Sequence, residues 1–169
     1  NKIEIFSENL NKENLINFEN KNKSIFSIIK NHELIKLIKK HLSKNKYFKI
    51  RKLNKNLNFI ENYNLVINTD YFKEITLKYF NKKIVKKYNS SAYVTLIEHE
   101  KLKNTTAIQI FTKNGPLAFL PISANKTSIV FSSHSLSNKN YEDINNLIKR
   151  HNMKFKIKSI RKAESFELQ

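Results

Sequence analysis

Apolar residues follow two rhythms along this chain. Between residues 92 and 132 they come in short runs, 92–98, 106–112, 116–122 and 127–132, separated by polar or Gly-containing turns. Runs of this length and spacing predict strands of an antiparallel meander, because side chains alternate faces and short turns join neighbours. Residues 154–158 alternate Lys with Phe155 and Ile157 and predict another strand; residues 165–168 predict one more. Residues 2–6 place Ile3 and Ile5 on one face, and 15–18 read as the returning strand. The second rhythm is helical. Residues 31–42 set Leu34, Ile35, Ile38 and Leu42 on one face, with Asn31 as cap and Lys39, Lys40 and His41 at the negative end of the dipole. Residues 140–151 repeat the design, with Asn140 as cap and Ile144, Leu147 and Ile148 as the stripe to be buried. Residues 73–80 predict a short helix.

Three further runs predict strands. Residues 47–50 and 57–60 flank a Lys/Asn turn. Residues 64–70 (NLVINTD) hold Leu65, Val66 and Ile67 in a row, as in a strand of a parallel sheet buried on both faces. The expected class is α+β. An antiparallel sheet with flanking helices covers 85–169, and an α/β region over 1–84 also holds the first strands of the sheet.

Composition narrows the chemistry. Of 169 residues 40% are apolar, enough for a core. The single glycine, Gly115, excludes a dinucleotide fingerprint, a Walker A loop and a nucleophile elbow. The absence of Cys excludes disulfides, thiolate metal sites and a cysteine nucleophile. No apolar run reaches the roughly 18–20 residues that span a bilayer, and no signal-peptide pattern is present, so the expected location is cytoplasmic. The chain opens on Asn1 rather than Met, which reads as a segment of a longer polypeptide.

The formal charge is +18, from 32 Lys+Arg against 14 Asp+Glu. Only Arg51, Arg150 and Arg161 are arginines, whereas bidentate recognition of phosphate and of base edges favours Arg. The lysines are spread evenly, and the excess of Lys, Asn, Ile, Phe and Tyr is the bias of AT-rich codons. The charge therefore reads as solvated surface, and nucleic acid is disfavoured as a partner. A basic face toward nucleic acid or an anionic membrane remains the alternative.

His32, His41, His99, His134 and His151 stand at no metal-ligand spacing, so no metal site is assigned. Glu142/Asp143 and Glu164/Glu167 suit caps and surface, and no catalytic residue is assigned. Phe111, Phe119 and Phe131 occupy strand positions that suit a core better than base stacking. One segment is more specific. Residues 109–123 read QIFTKNGPLAFLPIS, a strand, an Asn-Gly turn and a nearly uninterrupted apolar strand. Such a strand can bury one face and line an apolar pocket with the other.

That segment resembles the motif Q-x-F-x-x-x-G-P-L-A-x-L-P-[LI]-S of the flavin-dependent ubiquinone-biosynthesis hydroxylases, which are p-hydroxybenzoate-hydroxylase-like monooxygenases. Gln109, Phe111, Gly115, Pro116, Leu117, Ala118, Leu120, Pro121, Ile122 and Ser123 match it. The run TSIVF at 127–131 is similar to the family's next strand. Tyr88 and Ala92 fall at its Y-x-Q-x-A, and Asp70 at the end of its strand A-D-G. The landmarks agree in order and spacing over about residues 60–135.

The resemblance implies an FAD monooxygenase that uses NAD(P)H as reductant and hydroxylates a polyprenyl phenol. Residues 1–84 would be part of the FAD-domain-like region and 85–169 the substrate domain, with the main flavin motifs outside this segment and the segment alone inactive. Gln109, Phe111, Leu117 and Phe119 are implied as substrate-binding and Asp70 as cofactor-binding. Peripheral attachment to the inner membrane, a ubiquinone-biosynthesis complex or a homodimer are the associated partners. The sequence also departs from the family: Tyr71 replaces the Gly of A-D-G, Ser90 the Gln of Y-x-Q-x-A, and Ile110 the usual Arg. A Tyr obstructs backbone approach to a pyrophosphate where a Gly permits it. A non-catalytic family member, acting as scaffold or lipid-binding subunit, is therefore the alternative, and a basic nucleic-acid-binding module the third reading.

Overall fold

The computed structural model describes residues 1–10, 13–51, 62–69, 74–79, 88–133 and 141–168. By contacts the chain forms two units, one of residues 1–30 with 87–169 and one of residues 31–86. The first 30 residues, grouped by sequence with the region up to 84, thus pack with the sheet.

The first unit is a mostly antiparallel eight-stranded sheet with one long helix. Its strands are β1 (Lys2–Ser7), β2 (Asn14–Glu19), β3 (Ser90–His99), β4 (Thr106–Thr112), β5 (Gly115–Ser123), β6 (Lys126–Ser133), β7 (Ile157–Ile160) and β8 (Glu164–Leu168). The order is β2-β1-β4-β5-β6-β3-β7, with β8 also on β3, so the expected four-strand meander holds only for β4 to β6: β3 pairs with β6 rather than β4, whose other edge is taken by β1. All described neighbours are antiparallel except β1 with β4, which run parallel. The α+β class expected from sequence holds.

β7 and β8 share one edge of β3. Ile160 lies opposite Ile97 and Glu164 opposite Val94, so three steps along β3 face four along its partner. One extra residue in one strand is a β-bulge. The Arg161 N–H donates to the Leu96 carbonyl at 2.9 Å, and the buried Thr95 hydroxyl donates to the Arg161 carbonyl at 2.6 Å. The bulge therefore keeps its backbone groups paired.

The sequence helix at 140–151 is present as Tyr141–His151. Ile144, Leu147 and Ile148 join one core with Ile97, Ile108, Ile110, Leu117, Phe119, Ile129, Phe131 and Phe155. Every strand residue in that core belongs to one face of the sheet, because buried positions alternate along β3 to β6.

The second unit contains α1 (Asn31–Leu42) and α2 (Glu74–Tyr79), so the helix of the first unit is α3. The 31–42 helix follows its sequence signals residue for residue, yet none of its residues is buried. Residues 47–50 form turn and coil, not the expected strand. Residues 64–69 are not a strand either, and Leu65 and Ile67 are 76% and 79% exposed. An apolar triplet becomes a buried strand only with neighbours to pair on both sides, and among the described residues it has none. Residues 57–60, Asp70, Tyr71, His134 and Asn140 lie outside the described residues. No described helix is long and apolar enough to cross a membrane.

Candidate functional site

The site is set by alternation along β4. Ile108, Ile110 and Thr112 point into the core beneath α3, at 3%, 2% and 9% exposure. Gln109 and Phe111 point the other way, and Phe111 is 48% exposed. In the β4–β5 register Ile108 pairs with Phe119 and Ile110 with Leu117, both on the core side; Gln109 pairs with Ala118 and Phe111 with Pro116 on the opposite side.

The four residues expected to bind substrate are therefore divided. Gln109 and Phe111 share the open face. Leu117 and Phe119 are fully buried members of the core and do not line that face. The division follows from the helix: α3 covers one side of β5, and the side chains with that parity become its floor. Asp70, the implied cofactor residue, lies outside the described residues.

Gln109 occupies the middle of a row running across the sheet. Its lateral neighbours are Ile5 on β1 and Ala118 on β5, and the row continues to Val130 and Val94. Beyond Ile5 it ends at Ile16 on the edge strand β2. The floor from β5 to β3 is built of small side chains, with Ala118, Val130 and Val94 beside Ser132 and Ala92. Bulky residues stand on either side: Phe111 on β4, Phe18 on β2 and Phe166 on β8. Strands lie about 4.8 Å apart, so β4 to β3 spans roughly 14 Å, enough for a phenol ring and the start of a prenyl chain. The Gln109 side chain makes no hydrogen bond among the described residues. Its amide can therefore address a ligand as donor and acceptor.

Sequence reasoning missed Ala118, Val130 and Val94 as site residues. The signal was present in part, since the two-residue turn Lys113-Asn114, one residue before the Asn-Gly pair, sets the hairpin register that places Ala118 opposite Gln109. Ile5 was not reachable in this way, because its neighbour lies far along the chain.

Two polar networks brace the unit. His99, 2% exposed, holds its Nδ1 2.8 Å from the Glu100 carbonyl and its Nε2 3.0 Å from the Thr127 hydroxyl. The carbonyl only accepts, so Nδ1 carries the proton and Thr127 donates to Nε2. Asn104 in turn donates to Thr127 Oγ1 at 2.9 Å. Glu8 joins three elements. It accepts the Lys113 N–H at 2.9 Å and the Arg150 guanidinium at 3.0 Å, and lies 3.5 Å from His151 Nε2. The Lys113 amide, followed by the His151 and Arg150 charges, holds its carboxyl below the ordinary value of 4.5. His99 shares the core parity of Ile97, so its network lies on the side away from Gln109.

The flavin implied by the resemblance needs a cradle for its pyrophosphate. Gly115 is not one: at φ +127° it opens β5 directly after the β4–β5 turn, and a Cβ there would overlap the Ser132 backbone oxygen. Among the described residues, no group of three or more His, Asp and Glu side chains is placed to hold a metal ion. The face as it stands suits an aromatic, largely apolar ligand.

A scan against protein-family models finds no match for this chain, and a search of the curated proteins finds none either.

Proposed function

We propose that the open face is the substrate wall of a flavin-dependent hydroxylase acting on a polyprenyl phenol in ubiquinone biosynthesis. The observation that carries the reading is an unpartnered amide, Gln109, centred on an apolar face whose floor is kept low by Ala118, Val130 and Val94. Gln109 orients the ring by accepting from the phenol O–H or donating to the phenolate. The apolar floor and Phe111 hold the ring and exclude water. FAD, reduced by NAD(P)H, would when bound activate dioxygen, one atom going to the ring and the other leaving as water. A cytoplasmic location with peripheral attachment to the inner membrane belongs to the same reading.

The test is titration of the purified protein with a short-chain prenyl phenol, with and without FAD, while NAD(P)H oxidation is followed. Gln109→Leu is expected to weaken phenol binding roughly tenfold while the melting temperature holds. Failure of the protein to bind the phenol sinks the reading. Tyr71, where the family has Gly, favours one second reading, a non-catalytic lipid-binding member. Phenol binding without flavin uptake selects it.

A further inference from the structure

The run 149–162 carries seven Lys and Arg and no Asp or Glu. The fold brings both ends of this run to one place. On α3, Asn145 and Lys149 are four residues apart and share a helix side. Asn152 follows in the turn, and β7 supplies Ile157, Lys158, Ser159 and Ile160. Together they line an open groove of about 550 Å³. That volume falls within the range of small-molecule sites.

Charge in the groove is uncompensated. Arg150 is paired with Glu8, Lys156 with Glu100 and Arg161 with Glu98. Lys149 and Lys158 have no such partner among the described residues, and no acid lines the groove. The Asn145 amide oxygen is buried with no hydrogen bond, so nothing ties down that carboxamide and it is free to turn its NH2 toward an anion.

We propose that this groove binds a phosphate group, held by Lys149, Lys158 and Ser159, with Ile157 and Ile160 contacting whatever apolar part the phosphate carries. The groove is separate from the Gln109 face, and the proposal does not depend on the function assigned there. A free phosphate and a phospholipid headgroup offer the same chemistry.

The test titrates the full chain with inorganic phosphate, read by phosphorus NMR. In parallel it uses vesicles of phosphatidylcholine with and without phosphatidylglycerol, read by co-sedimentation. Lys149→Gln with Lys158→Gln is expected to weaken the binding roughly tenfold or more. Lys39→Gln with Lys40→Gln, the charge-matched control on α1, is expected to change it by less than about twofold at physiological salt. Both lysines of the first pair are exposed, so the fold is retained, and a thermal melt checks this. Binding of free phosphate identifies a soluble phosphate ester as ligand; binding only to phosphatidylglycerol vesicles identifies a headgroup. Absence of binding to either probe overturns the proposal. So does an equal loss in both lysine pairs, which would leave only net charge.

Discussion

α1 and α3 are nearly the same helix in sequence. Each is amphipathic, spans 12 and 11 residues respectively, and ends in basic residues and a His. Their surroundings differ. α3 buries Ile144, Leu147 and Ile148 against the sheet, while α1 leaves Ile35, Leu37 and Ile38 about half exposed. The contrast extends to the units that carry them, since among the described residues of 31–86 none is buried. Periodicity states which face of a helix needs a partner. It does not state whether the chain contains one.

The comparison can be broken most severely at Gly115. An alanine there meets the Ser132 backbone oxygen in a conformation that L side chains rarely adopt. The expected loss is about 4 kcal/mol or more, seen as a collapse of the cooperative urea transition. A transition within about 0.5 kcal/mol of wild type would mean that the hairpin is not tightly built.

A paired truncation sharpens the contrast between the helices. Ile148→Ala opens a cavity in the core and is expected to cost about 2–5 kcal/mol. Ile38→Ala on α1 is expected to cost less than about 0.5 kcal/mol. Equal losses in chemical denaturation would show that the α1 stripe is covered in the folded protein after all.

The smallest effect concerns Glu8. Its folded carboxyl titrates below its unfolded value, so its contribution is complete above about pH 4.5 and is lost as the pH falls through the folded value. Glu8→Gln is therefore expected to be less stable than wild type at neutral pH. The gap should close as the solution is acidified, in melts taken from pH 7 to pH 3. A gap independent of pH would assign the loss to packing rather than charge.

Local order was legible in the sequence. The α1 boundaries follow from Asn31 and the basic last turn, and the β4–β5 hairpin from alternation around Asn114-Gly115. Pairing across distance was not. Nothing in the run 2–6 announces a parallel register on β4, since neither strand's own pattern encodes its neighbour. The same limit shaped the candidate site. Gln109 and Phe111 stand together because both are odd-numbered residues of one strand. Leu117 and Phe119 fell on the other side because α3, well over 20 residues further on, claims that face. The basic groove was hidden for a related reason. Lysines evenly spaced in sequence become neighbours only when α3 and β7 meet.

The parallel seam between β1 and β4 has a consequence for the order of assembly. The Glu8–Lys113 contact that follows it closes a loop of 105 residues, whereas β3 to β6 are joined in sequence by short connections. Closing long loops is entropically costly and comes late, so β3 to β6 have the shorter route to their pairings and the β1–β2 hairpin docks onto a sheet already formed. The β3–β6 sheet is thus the template and the first thirty residues its late edge. A chain emerging from its N-terminus must leave the outer edge of β1 open until the partner strand has been made.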